Sequence, residues 1–193
     1  MGNGGRRMTQ LIGLSGSLRS GSYNTALLHA ATRLIPEGAS LEVATIRNIP
    51  LYDGDMEAKE GIPAPVAALK DRIAAADGLL LATPEYNNSL PGVFKNAIDW
   101  LSRPPSDIGR VFGGRPVAVI GASPGGSGTS LGQTAWLPVL RTLGTVPWFG
   151  ARLMVSRAQG VFDAAGALTD ATVEGQLRKF LEGFVAFIKS QPR

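Results

Sequence analysis

Hydrophobic positions along the chain alternate between two patterns. Short, nearly unbroken apolar runs at residues 10–14, 79–82 and 116–121 predict strands buried on both faces. Residues 41–46 are less uniformly apolar, and 145–149 contain Pro147, which cannot donate to a ladder. Both runs therefore suit sheet edges. Between the runs the apolar period lengthens to that of a helix. Helices are predicted over about 24–34, over about 65–76 with Pro65 near its first turn, and over about 127–143. Another begins after Pro91, with Val93, Phe94, Ala97, Ile98 and Leu101 on one face. A last one covers about 171–189, with Val173, Leu177, Phe180, Phe184 and Ile188 as its stripe. Segment 151–169 carries no clear period.

Five strands alternating with helices predict one α/β domain over residues 1–193, preceded by a flexible tail at 1–8. With three apolar runs central and the mixed and proline-bearing ones outside, the expected architecture is a flavodoxin-like three-layer sandwich. Its parallel sheet has the order 2-1-3-4-5 and carries helices on both faces. Ligands of such sheets bind beyond the carboxyl ends of the strands, at the switch point. Three loops leave central strands there, and all three are unusual.

The first, Ser15-Gly-Ser-Leu-Arg-Ser-Gly-Ser-Tyr-Asn24, spaces Gly16 and Gly21 as a phosphate loop does, but Ser22 stands where triphosphate chemistry needs lysine. What remains is an anion cradle: amides at a helix start, the hydroxyls of Ser17 and Ser22, and Arg19, against the plainer reading of a turn capped by Asn24. The second loop, Pro84-Glu-Tyr-Asn-Asn-Ser89, offers amides and the polar side chains of Asn87, Asn88 and Ser89 to a heterocycle's edge. Pro84 and Tyr86 supply apolar surface, and Asn-Asn-Ser reads equally as a turn. In the third, residues 121–130, glycines let the backbone approach a flat ligand.

Composition narrows the chemistry. The chain is 44% hydrophobic and 18% charged, as a globular protein is, and no apolar run is long enough to span a bilayer. Without cysteine there is no thiolate nucleophile or zinc–thiolate site, and the one histidine, His29, falls on a helical pattern as a surface residue. The net charge of +4 is scattered, with no tract suited to nucleic acid. A cytoplasmic protein acting on small molecules, with no metal, nucleic-acid or membrane partner, is expected.

The segments "GSLRSGSYN", "PLYDGD" and "PEYNNSLPGVFKNAIDWLSR", followed by the glycine-rich stretch at 121–128, resemble in order and spacing the NADPH-dependent FMN reductase family. This flavodoxin-like group includes chromate, quinone and azo-compound reductases, and the likeness runs from about Gln10 to Gly150. It implies FMN, oxidation of NADPH or NADH, a small-molecule electron acceptor and a homodimer or homotetramer. It also implies that Ser17, Arg19, Ser22 and Asn24, with Tyr23 beside them, hold the phosphate. Pro84, Glu85, Tyr86 and Asn87 would hold the isoalloxazine, and Ser123 and Gly126 would close its far side.

On that reading no side chain is catalytic, because the cofactor carries the chemistry. No G-x-G-x-x-G run follows the first strand, so nicotinamide is expected to stack on the flavin without a Rossmann site of its own. One shared ring face predicts ping-pong kinetics. A flavodoxin-type electron carrier, which the basic balance disfavours, and an FMN-binding regulatory protein remain as alternatives. Trp100, off its helix's apolar stripe, and the segment 102–114 are the expected interface between copies.

Overall fold

The structure, a computed structural model, describes residues 7–192. The tail expected over 1–8 therefore lies outside it except at its end, where Arg7 reaches Asp77 at 3.3 Å and Met8 is exposed.

The chain runs β1 (Thr9–Ser15), α1 (Tyr23–Leu34), β2 (Ala39–Ala44), α2 (Gly54–Glu60), α3 (Ala64–Ala75), β3 (Gly78–Ala82) and α4 (Gly92–Leu101). It continues through α5 (Ile108–Val111), β4 (Pro116–Ala122), α6 (Ser130–Thr142), β5 (Val146–Pro147), β6 (Met154–Val155) and α7 (Ala171–Ser190). The strands pair in parallel in the order β2-β1-β3-β4-β5, as expected from which runs are most apolar. Pro147 sits in the edge strand. Segment 151–169 supplies what the sequence pattern hides: β6 pairs with the far end of β4, so β5 and β6 share one edge in succession.

Alternation along the strands sends their side chains to two cores. Leu11, Leu80, Ala118 and Ile120 pack with α1 and α7 on one face; Ile12, Leu14, Leu79, Leu81 and Val117 pack with α3, α4 and α6 on the other. The stripe of α7 buries Leu177, Phe180, Phe184 and Ile188 as its period requires. His29 is exposed on α1.

One helix has no counterpart in the sequence pattern, and one expectation fails. Helix α2 has no buried residue, so no apolar period announces it; Asp53 caps it by accepting from the amides of Asp55 and Met56. Trp100 is fully buried within its own chain and is no exposed interface anchor. The strap at 47–53 folds over α4, where the indole and the Asn96 amide both donate to the Pro50 carbonyl, at 3.0 and 2.8 Å, and Tyr52 packs edge-on to Trp100.

Candidate functional site

Paired residues Ser15 and Ala82 bring the carboxyl ends of β1 and β3 level, and Ala82 pairs in turn with Ile120 of β4. The three loops leaving these strands lock against one another. A Cβ at Gly16 would lie 2.3 Å from the Phe94 ring and 2.9 Å from Pro84, so only glycine lets the first loop lie on the second. A Cβ at Gly121 would meet the Thr129 hydroxyl at 2.0 Å and the Thr83 carbonyl oxygen at 2.4 Å, which joins the second loop to the third. Beneath them Thr83 is buried and accepts from the Trp136 indole at 3.1 Å.

Several side chains expected at a ligand take part in this locking. Asn24 is 3% exposed; its amide donates to the Ala122 carbonyl at 2.9 Å and its oxygen accepts from the Ala122 N–H at 3.0 Å. It clamps the first loop to the third. It is also not the helix cap, because Ser22 caps α1 by accepting from Thr25 N–H at 3.2 Å. Tyr23 is half-buried, its ring stacked on Phe162 at 5.8 Å. Pro84 is buried and so offers no open apolar face. The Glu85 carboxylate accepts from the Gly132 N–H at 2.8 Å, in the first turn of α6, where the helix dipole favours negative charge. The Ser123 hydroxyl accepts from Gly125 N–H at 3.0 Å and shapes its own loop.

Asn87 and Asn88 have φ of 50° and 60°, and Tyr86 and Ser89 exchange both backbone hydrogen bonds at 3.0 Å. These are the marks of a two-residue turn with both central residues left-handed, a conformation that asparagine tolerates. The turn holds Tyr86 outward at 47% exposure.

What remains open is mostly backbone. The amides of Ser20, Gly21 and Ser22 beside the start of α1, and of Gly126, Ser127 and Gly128 in the third loop, have no acceptor among the described residues. Positions 21 and 126 have free space where a Cβ would stand. Ser17 is half-buried, and Arg19 is exposed with no partner for its guanidinium among the described residues. Open amides at a helix start with an arginine suit a phosphate; open amides on a glycine loop suit the edge of a flat heterocycle. This donor set fits FMN. No group of three His, Asp or Glu able to hold a metal occurs among the described residues, and none of their helices is long and apolar enough to cross a membrane.

Sequence reasoning placed the loops and missed the partners. The tie between Gly132 and Glu85 and the tie between Asn24 and Ala122 span 47 and 98 residues, distances over which no local pattern reports.

Comparison with known proteins agrees with this geometry. The profile of the NADPH-dependent FMN reductase family matches residues 9–160. An NAD(P)H-dependent FMN reductase of Pseudomonas aeruginosa is 44% identical over 180 residues, 93% of this chain and 95% of that one. A 2-hydroxy-1,4-benzoquinone reductase of a Burkholderia species is 37% identical over 176 residues, 91% and 94% of the two chains. Among solved structures, the flavoenzyme NAD(P)H:(acceptor) oxidoreductase of Paracoccus denitrificans superposes with a TM-score of 0.84 at 35% identity, covering 94% of this chain and 98% of that one. The chain belongs to the NADPH-dependent FMN reductase family and is an oxidoreductase that works with FMN and a reduced nicotinamide.

Proposed function

We propose that this enzyme passes reducing equivalents from NADPH or NADH to quinones, and to related acceptors such as chromate, azo compounds and free flavin, by a ping-pong mechanism. The observation that carries this reading is the junction of three interlocked loops with open amides in the first and third and an exposed tyrosine in the second. The names of the Pseudomonas and Burkholderia relatives support the choice of flavin and quinone. FMN, when bound, supplies the chemistry by accepting hydride from nicotinamide and yielding it to the acceptor.

The chain's own residues then divide the remaining work. The amides of 20–22, the Ser17 and Ser22 hydroxyls and Arg19 hold the phosphate. The backbone of 84–87 and of 123–128 borders the ring, and Tyr86 shields one side of it. Asn24, Glu85 and the Asn87–Asn88 turn keep the three loops at fixed spacing, so little ordering remains to be done on binding. Donors aimed at the ring edge by the third loop favour negative charge there.

The enzyme works as a homodimer or homotetramer. Two exposed large apolar side chains, Leu51 at 81% and Phe149 at 70%, support this. Light scattering at micromolar concentration gives the mass directly, and a 20.2 kDa species removes this part of the reading.

The test of function is turnover. FMN-loaded protein mixed with NADPH and a benzoquinone under nitrogen gives parallel double-reciprocal lines as the quinone is varied. Intersecting lines reject the shared ring face, and the absence of turnover rejects the reductase reading.

A further inference from the structure

The phosphate loop has a second side. Between it and the carboxyl end of β2 lies a cleft of ≈ 340 Å³, bordered by Ser17, Arg19 and Ser20 from the loop and by Thr45 and Arg47 from the segment just after β2. No carboxylate lines it, and His29 is its only other titratable group. Arg7, Arg72, Arg103, Arg110 and Arg178 each meet an acidic side chain. Arg19 and Arg47 do not, among the described residues. Arg47 donates through Nη2 to the Leu18 carbonyl oxygen at 2.5 Å, which fixes its guanidinium under the loop and leaves its other N–H groups to the cleft. With Arg19 on the flavin phosphate, as read above, Arg47 stays on the cleft wall as a cation that no acidic side chain of the described residues compensates, which favours an anion there.

We infer that this cleft takes the 2′-phosphate of NADPH, with Arg47 as the cation that distinguishes NADPH from NADH. The inference rests on the reading above that reduced nicotinamide serves the flavin at the β3 and β4 loops. β2 lies two strands from β3, roughly 10 Å at the usual strand spacing. A dinucleotide with its nicotinamide on the ring can therefore lay its adenosine end towards β2. The phosphate of FMN shares this chemistry but has its own donors in the amides of 20–22, the Ser17 and Ser22 hydroxyls and Arg19, which leaves Arg47 to the cleft. Arg47 comes from a strand end that the flavin site does not use.

The experiment compares adenosine 2′,5′-bisphosphate with AMP by titration calorimetry on the FMN-loaded protein. Wild type should bind the bisphosphate about tenfold or more tightly than AMP, the low end for a charged hydrogen bond. Arg47→Met, which keeps the packed stem, should remove the preference, and Arg47→Lys should keep part of it. In steady state, kcat/KM for NADPH should fall roughly ten- to a hundredfold in Arg47→Met while that for NADH falls less than about threefold. Equal binding of the two nucleotides by wild type, or equal losses with NADPH and NADH, overturns the inference. An FMN affinity that falls as far in Arg47→Met as kcat/KM for NADPH also overturns it and assigns the cleft to the flavin's own phosphate. Should Arg47→Met not fold, the wild-type preference and Arg47→Lys still decide. A protein that turns over no acceptor yet prefers the bisphosphate refutes the proposed function and leaves this inference standing.

Discussion

Replacing Asn24 by alanine separates a ligand from a clamp. The side chain makes two hydrogen bonds to the buried backbone of Ala122, one in each direction. Alanine leaves that N–H and that carbonyl without partners, and each orphaned buried group costs about 1 to 3 kcal/mol. With water re-satisfying part of the site, a net loss of about 3 kcal/mol is expected. In a chain of 193 residues each kcal/mol moves the midpoint by about 2 to 4 °C, so Tm should fall by roughly 6 to 12 °C. The assay is scanning calorimetry of the flavin-free protein, paired with FMN titration by fluorescence quenching below the variant's transition. Flavin affinity should fall only modestly, through loosening of the first and third loops. Asn24→Asp keeps the acceptor for Ala122 N–H but sets a carboxylate against its carbonyl oxygen, and should be destabilised at least as much. An Asn24→Ala protein that melts with wild type yet binds FMN a hundredfold more weakly would refute the reasoning and restore the phosphate role.

Three further outcomes are expected. Arg19→Ala should weaken FMN binding roughly ten- to a hundredfold with Tm of the flavin-free protein unchanged, since its side chain has no partner to lose; unchanged affinity rejects the phosphate assignment. Tyr86→Ala should lower kcat about tenfold or more, with FMN affinity altered less than about fivefold and most activity retained in Tyr86→Phe; equal kcat in both variants removes Tyr86 from the ring's surroundings. The Glu57 carboxylate accepts from Arg103 at 2.8 Å and from the Tyr52 hydroxyl at 3.0 Å, and the Arg103 hydrogen bond, foremost, holds its pKa below the ordinary glutamate range. A depressed carboxylate stabilises fully above its unfolded pKa of about 4.3 and loses this as pH falls through the lower folded value, so the Tm gap between wild type and Glu57→Gln should hold from pH 8 to 5 and narrow progressively below about pH 4.3. A gap that does not narrow at all between pH 5 and pH 3 contradicts this account of the strap.

The parts of this molecule that were legible in its sequence are those whose physics is local. Strands buried on both faces must be apolar throughout, so β1, β3 and β4 stand out. A proline at the edge and a 3.6-residue stripe on α7 declare themselves in the same way. Helix α2 buries nothing, and β6 is two residues long, so neither leaves a period to read. Trp100 looks out of place on its helix until the strap supplies a carbonyl for its indole. The one local sign of this was Asn96, four residues earlier and therefore on the same side of α4, bonding to the same Pro50 oxygen.

The site shows the same division more sharply. Its three loops were legible as loops because glycine, serine and asparagine at strand ends have few other uses. The roles of their side chains were not, because a polar residue aimed at a ligand and one aimed at a neighbouring loop have the same sequence. In the structure Asn24, Glu85 and Ser123 all turn to protein partners, and the asparagine pair after Tyr86 serves a turn. What they leave free are amides, which every residue but proline carries. Substitution in these loops is therefore expected to act first on stability and loop spacing, and on cofactor affinity through them. Arg19 and Tyr86 are the exceptions, since each presents a side chain that no other part of the described chain claims.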